Sequence, residues 1–129
     1  MSILVVDDQS SLRMMLSIVL HDAGYTVVGV ANGREALSFL RHSHELPGLI
    51  LLDVAMPVMT GWEFLSAQQR ERRIAAIPVV LMTALADIRG DITSSAVVAS
   101  LYKPLDLDRL IDLVEQYDQT PLLEKVAVA

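Results

Sequence analysis

The chain has 129 residues, of which 53% are hydrophobic and 20% charged, with a net charge of −6 and no cysteine. That length fits one domain around one core, and the apolar share suits elements buried on more than one face. The acidic balance disfavours a nucleic-acid surface, the missing cysteine excludes disulfides, thiolate chemistry and Cys-based zinc sites, and no apolar run reaches the roughly 18 residues that would span a bilayer.

"ILVVD" (3–7) is a short β-branched run ending in acid and reads as a buried strand. In "SSLRMMLSIVLHDAGY", Leu12, Met15, Leu16, Val19 and Leu20 recur at helical spacing, Gly24 is a stop, and Met14 and Met15 read as core and rim. "TVVGV" (26–30) is a second strand. Asn32 with Glu35 three residues on is a capping-box signature for a second helix. "GLILLD" (48–53) is a third strand, apolar on both faces until Asp53. Thr60 and Glu63 repeat the capping signature, and "RERR" (70–73) reads as the solvated basic end of that helix. "IPVVLMT" (77–83) is a fourth strand. A helix should follow, but Gly90 and Thr93-Ser94-Ser95 make "ALADIRGDITSSAVV" a weak one. "ASLY" (99–102) is a short fifth strand, and "DLDRLIDLVEQY" an amphipathic helix with Leu107, Leu110, Ile111 and Val114 on one face. Five β-α repeats indicate an α/β fold: a doubly wound, five-stranded parallel sheet with helices on both faces.

In such sheets ligands bind beyond the carboxyl ends of the strands, at the switch point of the topology. The residues delivered there are Asp7 and Asp8, Asp53, Thr83 followed by Ala84, and Lys103 followed by Pro104. Singly each has a bland reading: a helix N-cap, a strand-end threonine, a solvated lysine. Together, three carboxylates repel one another, and a hard divalent cation relieves that repulsion. One carboxylate is then available as a phosphoryl acceptor, with an ammonium and a hydroxyl to stabilise the transferred charge.

"ILVVDD", "LILLDVAMPVMTGWEFL", "VVLMTA" and "LYKP", in this order over residues 3 to about 118, resemble the response-regulator receiver domain of two-component signalling. The resemblance implies a flavodoxin-like strand order of 2-1-3-4-5. It implies that Asp53 is the phosphoacceptor and that Asp7, Asp8, Asp53 and the Ala55 carbonyl hold Mg²⁺ or Mn²⁺. Thr83 would bond a phosphoryl oxygen, Lys103 would pair with the phosphoryl group, and the Lys103–Pro104 bond would be cis. The partners implied are a sensor histidine kinase or phosphotransfer protein and an unknown downstream protein, with a homodimer as a further option and no nucleic acid or membrane. Met1 leads into "SILVVDD" without a basic n-region or cleavage site, so a cytoplasmic location is expected. Residues 1–119 are expected to form the receiver and 120–129 a tail or the start of a linker, the chain being a stand-alone receiver or a piece of a longer regulator.

The sequence departs from the family pattern at two places. Where receivers commonly carry Tyr or Phe, three residues before the strand-5 lysine, stands Ser100. The aromatic residue is Tyr102, on the same face of an alternating strand. The segment between Thr83 and Lys103 is also slightly short and helix-poor, so the output surface is expected to be altered. Ala55 and Leu85, two beyond Asp53 and Thr83, are apolar in positions that flank the hydrolytic water's path in the family, which implies slow self-dephosphorylation.

No enzyme with an external product is expected. An Asp-nucleophile phosphatase would usually carry a second Asp two residues after the first, where Ala55 stands. A nucleotide binder would need glycines in "VDDQSSLR". His21, His42 and His44 read as solvated, and Trp62 as a partly exposed packing residue.

Overall fold

The computed structural model describes residues 1–84 and 94–118. The expected tail, Leu85 and most of the helix expected over 84–98 lie outside the described residues. The elements are β1 (Ser2–Val6), α1 (Ser10–Asp22), β2 (Thr26–Val30), α2 (Gly33–His42), β3 (Leu49–Asp53), α3 (Gly61–Gln69), β4 (Val79–Thr83), β5 (Val97–Tyr102) and α4 (Leu107–Tyr117). The strands form one parallel sheet in the order β2-β1-β3-β4-β5. This is the doubly wound fold expected.

Period-two alternation sorts the strands' side chains into two cores. Leu4, Val6, Ile50, Leu52, Val79 and Leu81 face α2 and α3, against Leu37, Leu40 and Phe64. Ile3, Val5, Leu49, Leu51, Val80 and Met82 face the opposite way, against Leu16 and Leu20 of α1 and Leu110 and Val114 of α4. Each such side chain contributes roughly 1.5–3 kcal/mol by leaving water. With helices on both sides, β3 and β4 are buried along their whole length, which is why they read as unbroken oily runs.

The helix ends follow local chemistry. Asn32 Oδ1 accepts from the Glu35 amide, while Glu35 reaches back to the Ala31 amide, so the capping box of α2 is offset by one residue. Thr60 and Glu63 close a full box at α3. Gly24, at φ 100°, follows α1 and donates its amide to His21. Trp62 is half-buried against the α2/α3 core, as expected, and the three histidines are exposed.

Two expectations are corrected. Met14 is not core but 67% exposed, and Met15, 38% exposed, lies at the rim, because the buried stripe of α1 runs through Leu16 and Leu20. And α3 stops at Gln69, before the basic run. Gln68, still helical and buried, donates from Nε2 to the carbonyls of Ile74 and Ile77 and so holds residues 70–77 folded back against the helix end. Arg73 then donates to the carbonyls of Leu40 and Ser43 at the end of α2, and Glu71 pairs with Arg41. These two residues clasp α2; they do not form a solvated helix end.

The β3–α3 loop holds one strained residue. Val58 has φ 69°, and the Met59 amide bonds back to the Pro57 carbonyl at 2.7 Å, a tight γ-turn centred on a β-branched side chain. Val58 is 63% exposed, so little packing is lost with its side chain. Val58→Gly is expected to raise the unfolding free energy by about 1 kcal/mol, the relieved strain outweighing the added chain entropy. Urea denaturation measures it, and a less stable glycine variant would contradict the strain.

Candidate functional site

The helices after β1 and β3 leave to opposite faces of the sheet, α1 toward one core and α3 toward the other. The carboxyl ends of these neighbouring strands therefore face an open crevice, and three of the expected residues stand in it. Asp7 immediately follows β1 and is fully buried. Its amide donates to the Val30 carbonyl, its Oδ1 accepts from the Gln9 amide at 2.9 Å, and its Oδ2 accepts from Lys103 Nζ at 3.0 Å. Gln9, not an aspartate, is the N-cap of α1. Asp8 is exposed.

Asp53 is the last residue of β3 and only 4% exposed. Its Oδ1 accepts from the Ala55 amide at 3.3 Å, and its Oδ2 lies 3.4 Å from Lys103 Nζ. Its mount is rigid because α3 begins directly against it. A Cβ on Gly61 would sit 2.5 Å from the Asp53 carbonyl oxygen and 2.7 Å from Val54 Cα, and the Gly61 amide donates to the Val54 carbonyl. Only glycine fits that approach. The "TG" that opens α3 is thus the signal in the sequence for this contact, beyond its value as a helix start.

Thr83 ends β4 and is buried, with its hydroxyl donating to the Ala84 carbonyl at 3.0 Å. The Lys103 amide donates to the Thr83 carbonyl, which holds the end of β5 beside β4. The Lys103–Pro104 bond is cis, as expected. It is followed by Asp106, whose side chain caps α4 through the amides of Asp108 and Arg109. Ser100 is half-buried in register with Leu81, whereas Tyr102 is half-exposed in register with Thr83.

The electrostatics are crowded. Ligating oxygens of Asp7, Asp8 and Asp53 all lie within 4.8 Å of one another. Burial, and then the charge of Asp7, push the Asp53 carboxyl above its usual range, with Lys103 and the Ala55 amide only partly offsetting them. Burial by itself would lower the Lys103 pKa. The hydrogen bond to Asp7 and the charges of Asp7 and Asp53 outweigh it, so the ammonium is held more firmly. An all-oxygen donor set with surplus negative charge suits a hard divalent cation, and the exposed carbonyl-bearing residue Ala55 stands beside it. A carboxylate, a cation site and an ammonium at one strand edge can receive a phosphoryl group.

Comparison with known proteins agrees with this geometry. A family model described as the response regulator receiver domain matches residues 3–115. An uncharacterised 14.6 kDa protein of Leptolyngbya boryana is 40% identical over 119 residues, covering 91% of this chain and 89% of that protein. The probable transcriptional regulator ycf27 of Porphyridium aerugineum is 37% identical over 100 residues, and the match covers 78% of this chain but only 40% of that relative's length. Among solved structures, the response regulator protein TrrA of Thermotoga maritima, in complex with Mg²⁺-BeF, superposes with a TM-score of 0.79 at 29% identity, covering 91% of this chain and 98% of that one. A chemotaxis protein of Vibrio cholerae superposes at 0.76 with 31% identity, over 91% of this chain and 98% of that one. With a match that spans nearly the whole described fold, the chain belongs to the response regulator receiver domain family.

Proposed function

We propose that this receiver takes a phosphoryl group on Asp53 from the phosphohistidine of a sensor kinase or phosphotransfer protein, and that the modified state binds a downstream protein differently. The observation that carries the reading is the placement of one buried carboxylate, Asp53, 3.4 Å from Lys103 Nζ and beside Asp7 and Asp8. An Asp53 oxygen attacks phosphorus, an O–P bond forms, and the P–N bond to the donor imidazole breaks, leaving the imidazole nitrogen to take up a proton. Mg²⁺ or Mn²⁺ held by Asp7, Asp8, Asp53 and the Ala55 carbonyl would neutralise charge on the phosphoryl oxygens. Lys103 pairs with the same oxygens, and Thr83 exchanges its bond to the Ala84 carbonyl for one to the phosphoryl group.

Exposed Met14 on α1, Val58 in the loop after β3 and Tyr102 at the end of β5 give a macromolecular donor apolar surface on the elements that carry the site. No described helix is long and apolar enough to cross a membrane, which accords with a cytoplasmic encounter. The chain is its own substrate here and has no separate product. The phosphatase alternative lacks a general acid at Ala55. The relatives differ in length: ycf27 of Porphyridium aerugineum and the transcriptional regulator NtrC of Salmonella typhimurium are much longer than the matched part, and the Leptolyngbya boryana protein is of similar size. The same acceptor chemistry serves a stand-alone receiver and one module of a longer regulator.

Incubation with acetyl phosphate and Mg²⁺ is expected to add one phosphoryl mass to the wild type and none to Asp53→Ala. Label that survives the substitution would displace the acceptor. Once formed, phospho-Asp53 is expected to last minutes, not seconds, at neutral pH, because the apolar Ala55 offers no side-chain atom to orient an attacking water. Loss of label within seconds, without a phosphatase, would refute this.

The raised pKa of Asp53 also sets a stability test. A carboxyl whose folded pKa lies above its unfolded value stabilises the fold while protonated, below the unfolded pKa, and that contribution is lost as pH rises through the folded pKa. At neutral pH the ionised group therefore destabilises the metal-free protein. Asp53→Asn is expected to raise the neutral-pH urea midpoint without metal, with the gap closing as pH falls through the carboxylate range and narrowing in millimolar Mg²⁺. Equal midpoints at neutral pH without metal would contradict it.

A further inference from the structure

One cation near the site pairs with no carboxylate among the described residues. Arg13, half-buried on α1, turns back toward the helix start, and its Nη1 donates to the Asp7 carbonyl at 2.7 Å. Its stem crosses β2 above Gly29. A Cβ on Gly29 would stand 3.3 Å from Arg13 Cδ, 3.7 Å from its Cβ and 3.8 Å from its Nε. Gly29 needs no left-handed backbone, and it pairs regularly with Val5 in the ladder. A glycine inside a strand weakens it and marks a place where something approaches closely. Here the Arg13 side chain is what approaches.

The bonded carbonyl belongs to the peptide that joins Asp7 to Asp8. Asp7 is otherwise fixed through its amide, by Val30, and through its carboxylate, by Gln9 and Lys103. Asp8 is exposed, and among the described residues no hydrogen bond or ion pair orients its carboxylate. Its placement therefore depends on the peptide plane before it, and Arg13 holds that plane.

We propose that Arg13 is a positioning residue for the acidic cluster, fixing the Asp7–Asp8 peptide so that both carboxylates converge with Asp53, and that Gly29 is the space this arginine requires. The inference rests on the reading of the cluster as a divalent-cation site. A strap between helix and sheet could use any carbonyl, whereas this one sets the separation of two carboxylates. Loss of a hydrogen bond that orients a metal-ligating group commonly changes metal affinity by tenfold or more.

The test is Mn²⁺ titration of the full chain, followed by the EPR signal of free Mn²⁺, with urea denaturation of each metal-free variant alongside. Asp8→Ala is expected to abolish the site. Arg13→Ala is expected to bind Mn²⁺ about tenfold more weakly while still unfolding cooperatively. Arg13→Lys should recover part of the loss, since an ammonium can also donate to the carbonyl. Gly29→Ala alone should weaken Mn²⁺ binding by crowding the stem, but should add nothing in the Arg13→Ala background. Because Gly29→Ala leaves Arg13 in place, it keeps the test alive if Arg13→Ala does not fold. A wild type with an Asp8-dependent site whose affinity is untouched by Arg13→Ala or Gly29→Ala would overturn the inference alone. A wild type without any Asp8-dependent Mn²⁺ site would overturn the cation reading, and the inference with it.

Discussion

The Lys103 ammonium between Asp7 and Asp53 is the interaction on which the site depends. It lies 3.0 Å from one carboxylate and 3.4 Å from the other, with only 23% of its side chain exposed. Burial, and then the charge of Asp7 at the end of the adjacent strand, oppose ionisation of Asp53. One ammonium shared between Asp7 and Asp53 offsets part of this, yet the cluster still carries surplus negative charge, and the Asp53 pKa stays raised, by burial first and by the Asp7 charge second. The resting site is therefore undercompensated. Added positive charge is what such a crevice favours, and a hard divalent cation suits its all-oxygen donor set.

That core also supplies the precision. Leu49 to Leu52 are completely buried, so β3 cannot slip by one residue without turning its oily side chains out of their two cores. The fixed register carries Asp53 to a fixed height. Gly61 brings α3 against the Asp53 carbonyl, the Lys103 amide holds β5 to Thr83, and Asp106 starts α4 just beyond the cis Lys103–Pro104 bond. Each functional side chain thus sits within a few residues of a backbone contact that leaves it little freedom. Asp8 is the exception: it is exposed, and its position is inherited from the peptide that Arg13 holds.

The fold was legible because both its signals are strong and local. Unbroken apolar runs of four residues, at 3–6, 49–52 and 79–82, suit strands in a sheet covered on both faces, and the capping residues Asn32 and Thr60 lie at the helix starts they announce. The acidic edge was legible because strand ends are where the apolar runs stop, at Asp7, Asp53 and Thr83. What could not be read depends on contacts distant in the chain. The end of α3 is set by Gln68 reaching carbonyls of the following turn, and Arg73 is claimed by α2 more than thirty positions earlier. Met14 and Met15 share composition with a core stripe, but their angle around α1 places them outside it. Arg13 and Gly29 carry no motif of their own. Their relation appears only when β2 lies alongside α1.

The end of β5 holds the two residues, Ser100 and Tyr102, at which the sequence departs from the usual receiver pattern. Ser100 lies two positions down β5 from the end, in register with Leu81, and has no ring to fill or vacate the space beside Thr83. Tyr102 is directly across the ladder from Thr83 and half in solvent. The Thr83 hydroxyl bonds the Ala84 carbonyl, and the aromatic group in register with it is already at the surface. Under the proposed phosphoacceptor role, a coupling between this threonine and an aromatic side chain would act on the edge of β5 next to Lys103, where the cis bond and the start of α4 follow at once.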